Sequence, residues 1–178
     1  MYLYTVGNTI AGVRFGRAML HEDERGNLVK FLGSNALESL PFEICEVFSS
    51  ESKAGVVRGM HLQTGQSSNW KVVAVLSGSI YDVLLDLRRS HGGGNARRFD
   101  VVSNYMNSES GDFVIIPPGV AHGFQAQTES KILYLSSARN VSREDTGINP
   151  LSFGLNWPIG ISHISTRDLS LPSLESFL

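Results

Sequence analysis

The sequence predicts an all-β domain, a sandwich or barrel of short antiparallel strands. Three observations predict it: 18 glycines among 178 residues, many short β-branched or aromatic runs punctuated by Gly, Asn, Ser and Pro, and few long helical patterns. Nine runs qualify as strands: Gly26–Phe31, Ile44–Ser49, Gly55–Gln63, Lys71–Leu76, Ser79–Leu87, Phe99–Val102, Asp112–Ile116, Gly123–Ala126 and Lys131–Ser136. Their spacing of roughly 8–15 residues is too tight for helical crossovers between most neighbours, so antiparallel pairing is expected.

Within Ser79–Leu87, one parity carries Tyr81, Val83, Leu85 and Leu87 and the other Ile80, Asp82, Leu84 and Asp86. One face is apolar and the other mixed, as befits a wall between core and cleft. Asp82 and Asp86, on the mixed face, either orient Lys71 or lie in solvent. His91–Asn95 (HGGGN) reads as a hairpin loop; it lacks the glycine spacing of a phosphate-binding turn. Asp112–Ile116 runs into Pro117-Pro118-Gly119, where proline fixes φ and glycine permits a positive one, so a tight turn precedes the strand beginning near His122. Only Leu37–Leu40 and the tail Leu171–Leu178 read as helical.

The charge balance is 15 Lys+Arg against 17 Asp+Glu, a formal −2, with 42% apolar residues. That composition buries a core and gives no basic footprint for nucleic acid or anionic lipid. The single cysteine, Cys45, excludes an internal disulfide framework and cysteine-rich metal sites. With no secretory signal or membrane-spanning run legible, a soluble cytoplasmic protein is expected.

Two motifs carry chemistry. GDFVIIPPGVAHGF fits Gly-x5-Pro-x-Gly-x2-His through Gly111, Pro117, Gly119 and His122, and GVVRGMHLQ places His61 six residues after Gly55. Together they resemble the cupin motifs and imply a double-stranded β-helix, or jelly-roll barrel. Cupins that hold a metal use three His and a Glu. Here Gln63 stands where the second His of the first motif would be, and Ser67 and Ser68 lie near the place of the Glu. The expected site is metal-free. Arg58 lies three residues before His61 and Lys71 opens the next apolar strand, and a cation that opens a buried strand needs a partner. Parity puts Arg58 and His61 on opposite faces unless Gly59 hosts a bulge.

Longer matches narrow the resemblance. DERG at Asp23–Gly26, GVVRGMHLQ, the run Asn69–Ser90, IPPGVAHGF, ILYLSS at Ile132–Ser137, LNWP at Leu155–Pro158 and ISTRD at Ile164–Asp168 are ordered as in the dTDP-4-dehydrorhamnose 3,5-epimerase family, nearly end to end. The resemblance implies an epimerase acting at C3 and/or C5 of a nucleotide-linked 4-keto-6-deoxy sugar, without cofactor. His61 would be the base and Asp168 its orienting carboxylate; Lys71 would support the enolate oxygen and Tyr134 would be the acid. Arg25, Arg58, His122, Arg167 and Gln63 would contact the substrate. It also implies one cupin domain over residues 1–178, with a barrel core of about 25–137 and a C-terminal segment 138–178 over the mouth. N-terminal strands would pair across a homodimer.

The chain departs from the family where the nucleoside is held. Asn140 replaces a stacking Tyr, Lys30 replaces a Glu, and Glu46–Val47–Phe48 replaces Gln-x-Asn. Phe48 is a candidate for the lost stacking face, and the nucleobase is therefore open. The competing readings are a cupin 3,4-ketoisomerase and a non-catalytic sugar-binding or metal-holding cupin.

Overall fold

In the computed structural model, which describes residues 2–4, 10–38, 40–88 and 99–177, the chain forms two packed sheets and a separate hairpin. The strands are β1 (Tyr2–Tyr4), β2 (Arg14–Arg17), β3 (Met19–Asp23), β4 (Gly26–Lys30), β5 (Glu46–Ser52), β6 (Val56–Gln63), β7 (Lys71–Ser77), β8 (Ser79–Asp86), β9 (Val101–Asn107), β10 (Asp112–Ile116), β11 (Val120–Ala126), β12 (Ser130–Ser136), β13 (Asp145–Gly147) and β14 (His163–Ile164). One sheet runs β1-β2-β10-β7-β12-β5 and the other β13-β6-β11-β8-β9; β3 and β4 pair only with each other. This is the expected jelly roll.

The inter-sheet core explains the alternation in the strands. Phe15, Val73, Val75, Ile80, Leu84, Val114, Phe124 and Ile132 meet between the sheets. The outward residues are also covered. Val72, Ala74, Phe113 and Ile115 pack under Phe31, Phe42 and Trp70, while Val83 and Leu85 pack with Met60 and Ile148 under Phe153, Leu155 and Trp157. Strands buried on both faces read as continuous apolar runs, as VVAV does after Lys71.

Several boundaries differ from the sequence reading. The first helix, α1, is Ser34–Glu38 rather than Leu37–Leu40, and the C-terminal region holds α2 (Thr166–Leu169) and a 3-10 turn at Leu174–Phe177. β1, β2, β3, β13 and β14 were not among the nine expected strands. β14 runs parallel to β6 through His163↔Val56 and Ile164↔Val57, while β13 pairs antiparallel with the other half of the same edge through Asp145↔Gln63 and Gly147↔His61. The HGGGN segment lies outside the described residues.

Gly59 does host the bulge. His122 pairs with His61 and Phe124 with Arg58, so three residues of β6 span two of β11. Gly59 takes φ +121°, and a Cβ there would stand 2.4 Å from the Gly123 Cα. The extra residue returns Arg58 and His61 to one face.

Candidate active site

A cavity of ≈ 210 Å³ opens between the two sheets, lined by residues that include His61, Lys71, His122, Tyr134, Arg58 and Glu46. Its walls follow from strand register. On one sheet Lys71, Ser136 and Glu46 form a rung across β7, β12 and β5, and Val73, Tyr134 and Phe48 form the next. On the other, His61 and His122 are direct neighbours.

His61 is held by a carboxylate from more than a hundred residues away. Its Nε2 lies 2.7 Å from Asp168 Oδ1 and 3.4 Å from Arg167 Nη1. The shorter contact to an anion assigns the proton to Nε2, so Nε2–H donates to Asp168 and Nδ1 is left to accept. Asp168 is fixed in turn: its Oδ2 accepts the Gly59 N–H at 3.2 Å and its own N–H donates to the Ser165 hydroxyl that caps α2. Burial pushes the Asp168 carboxyl up, but the His61 hydrogen bond and charge together with the Gly59 N–H outweigh it and hold the group below the ordinary carboxylate range. The parallel pairing of β14 with β6 delivers α2, and with it Asp168, to this place.

His122 has a parallel arrangement in deeper surroundings. Its Nε2 lies 2.6 Å from Asp82 Oδ1, and the two side chains are 6% and 0% exposed. The contact is a diagonal one, since Asp82 sits opposite Phe124 in the register. This corrects the expectation for the mixed face of β8: Asp82 serves His122, and Asp86 takes Arg88 at 2.6 Å. Neither orients Lys71.

The group that faces Lys71 is Asp145, in β13. Burial lowers the Lys71 pKa and the Asp145 charge partly restores it. Asp145 also accepts from Arg167 Nη2 at 2.7 Å, linking lysine, guanidinium and imidazole. Asp145 carries no motif in the sequence; only its adjacency to β6 exposes its role. Tyr134 hydrogen-bonds Ser50 Oγ at 3.1 Å and stacks on Phe48 with ring centroids 4.8 Å apart and 11° between planes. Burial pushes its phenol up to about 12, against weaker opposing effects of Ser50 and Arg58. Phe48 therefore spends one ring face on Tyr134, lines the cavity and remains 47% exposed.

The remaining expected residues divide. Arg58 lines the cavity and is braced by Ser52 Oγ and the Glu51 carbonyl, both at 2.8 Å. Gln63 and Asn140 line it too; Gln63 Oε1 accepts the Val141 N–H, and the Asn140 N–H donates to Glu46. Arg167 stands beside His61. Arg25 does not join them: it is exposed at the tip of the β3–β4 hairpin, bonded to Asp23.

The donors do not suit a transition metal, which needs several convergent ligands. Each imidazole keeps one ring nitrogen free of its carboxylate, but Gln63 is engaged by the backbone, and among the described residues no three His, Cys, Asp or Glu side chains are grouped to hold an ion. Barrel and cavity together define a cupin whose cavity holds two carboxylate-paired histidines, a lysine and a tyrosine.

Comparison with known proteins refines that class. A sequence model of the dTDP-4-dehydrorhamnose 3,5-epimerase family matches residues 8–176, and the chain belongs to that family. It is 33% identical over 166 residues to the dTDP-4-dehydrorhamnose 3,5-epimerase of Mycobacterium tuberculosis, covering 88% of this chain and 80% of the relative. The crystal structure of the corresponding enzyme from Sulfolobus tokodaii superposes with a TM-score of 0.83 at 29% identity, over 98% of this chain and 96% of that one. NovW, a 4-keto-6-deoxy sugar epimerase from the novobiocin biosynthetic gene cluster of Streptomyces spheroides, gives 0.86 at 25% identity, over 99% and 89%.

Proposed function

We propose that the protein epimerises C3 and/or C5 of a nucleotide-linked 4-keto-6-deoxy sugar in the cytoplasm, in deoxysugar biosynthesis, with His61 as base and Tyr134 as acid. The C4 ketone acidifies the neighbouring C–H bonds. His61 Nδ1 takes the proton, leaving an imidazolium stabilised by Asp168, and the electron pair moves onto the C4 oxygen as an enolate. The Lys71 ammonium is the cation available to that oxygen, a charge present mainly in the transition state and therefore effective for rate. Tyr134 returns a proton to the opposite face of the carbon and is replenished from solvent, inverting the centre. Arg58 and His122 hold the sugar diphosphate, where a guanidinium fork suits phosphate oxygens.

The observation that carries this reading is the His61–Asp168 pair at 2.7 Å in the cavity that also holds Lys71 and Tyr134. Incubation with 4-keto-6-deoxy nucleotide sugars in deuterated water should place deuterium at C3 or C5 with the ketone still at C4. No incorporation with any nucleotide would reject the proposal, and a ketone moved to C3 would make the protein an isomerase.

A homodimer accounts for Arg25. β3 is exposed throughout and β4 nearly so, with Leu28 59% and Met19 46% exposed. Such a hairpin is suited to pairing with a second copy and carrying Arg25 to the neighbour's cavity.

A further inference from the structure

Asp145 enters the cavity from β13, whose pairing with the edge of β6 sets it opposite Gln63. Its Oδ2 accepts from Arg167 Nη2 at 2.7 Å, and Arg167 Nη1 lies 3.4 Å from His61 Nε2. The Asp145 side chain is only 19% exposed, so solvent screens its charge weakly. The charged or titratable groups that share the cavity with Lys71 are Glu46 on β5, Arg58 and His61 on β6, His122 on β11, Tyr134 on β12 and Asp145 itself; β10, paired with Lys71 on the other flank, brings Ile116. His122 is matched by Asp82 and His61 by Asp168. Glu46 is turned to the Asn140 N–H, and the Tyr134 phenol keeps its proton. Among these groups Asp145 is the one whose charge favours the Lys71 ammonium against burial. One carboxylate therefore answers two cations. It also offsets a guanidinium that, unpaired beside His61, would oppose the positive charge the imidazole gains on taking a proton.

We infer that Asp145 is a positioning residue, holding the Lys71 ammonium and the Arg167 guanidinium on one carboxylate at the cavity wall. The inference rests on the reading of the cavity as an epimerase site and adds to it a group that acts through Lys71. A cation supplied by a second copy of the chain would draw on the same carboxylate and leaves the direction of its effect on Lys71 unchanged.

The test follows the Lys71 side chain by NMR in protein carrying isotope-labelled lysine, the signal being assigned by its loss in Lys71→Arg. In Asp145→Asn the ammonium should lose its proton about one pH unit lower than in wild type. Asp145→Glu, which restores the charge on a longer arm, should bring the midpoint back toward wild type and guards against an effect of misfolding. Arg167→Gln leaves the carboxylate to the lysine alone and should move the midpoint upward. With a 4-keto-6-deoxy nucleotide sugar in deuterated water, the alkaline limb of the wash-in rate should fall together with the NMR midpoint in Asp145→Asn, and the deficit against wild type should narrow as the pH is lowered. Equal midpoints in wild type and Asp145→Asn, a midpoint that does not rise in Arg167→Gln, or a rate deficit that is the same at every pH would overturn the inference; the last is what a merely structural role gives. The NMR arm needs no turnover and so separates this from the epimerase reading: shifted midpoints without incorporation by wild type remove the epimerisation and keep the coupling of Asp145 to Lys71, and incorporation with unshifted midpoints removes the role of Asp145 alone.

Discussion

His61 and His122 stand side by side, each on a carboxylate, but only the first is open enough for a substrate carbon to reach: its side chain is 29% exposed against 6%. In the Asp168→Asn variant the amide can donate to Nε2, so the tautomer inverts and Nδ1 carries the proton it should accept. Deuterium wash-in should fall roughly 10³-fold or more with little change in KM. In the proposed reaction Lys71 sets the alkaline limit. Its ammonium is the useful form and its pKa is lowered, so activity should decline with rising pH before the ordinary lysine value of 10.5 is reached. Tyr134, pushed up to about 12, keeps its proton throughout. In Lys71→Arg a pH–rate profile should show that limb moved upward at reduced kcat. Because the fold disfavours the charged lysine, it is less stable at pH values below the folded-state pKa than it would be with a neutral side chain. Lys71→Met should therefore raise Tm by a few degrees while abolishing turnover. The dyad, the lysine and the phenol were legible only through the family resemblance. Asp82 was not, because parity names a face without naming the diagonal neighbour it meets.

The bulge in β6 shows how one residue sets the composition of a strand's cavity-facing side. Gly59→Ala places a methyl group against the Gly123 backbone at a φ of +121°, so relief requires the two strands to separate. A loss of several kcal/mol is expected, read as a large fall in Tm or in soluble yield. Gly33→Ala, whose added Cβ would meet only the Lys30 side chain at 3.8 Å, should leave the unfolding free energy within about 0.5 kcal/mol of wild type. The central strands were readable because both faces are covered and their apolar runs are dense. β13 and β14 were not, being 3 and 2 residues long and defined by docking on the edge of β6 instead of by their own pattern. β1, β2 and β3 escaped for a related reason: the burial of Phe15 depends on Val73 and Val114, which arrive much later in the chain.

At the scale of the whole molecule, the distribution of site residues predicts shared sites. If Arg25 serves the neighbouring cavity, Arg25→Ala and His61→Asn should each be inactive or nearly so alone. Unfolded and refolded together, they should recover about a quarter of wild-type activity through mixed dimers that carry one intact site. Sedimentation should show dimers in every case, and absence of recovery would place Arg25 outside the site. The sequence resemblance made the barrel legible and named eleven candidate residues, of which ten gather at or beside one cavity while Arg25 stands apart on the hairpin. Gly59, Gly123 and Gly147 meet where β6, β11 and β13 cross behind the imidazoles, with backbone so close that a Cβ on Gly147 would fall 1.7 Å from the Met60 carbonyl oxygen. Main chain stacked this tightly has little freedom to breathe, so amide protection should be greatest in the floor beneath His61 and His122. Any opening for ligand entry is then left to the rim, and the stiffest part of the protein is the strand crossing that carries His61 and His122.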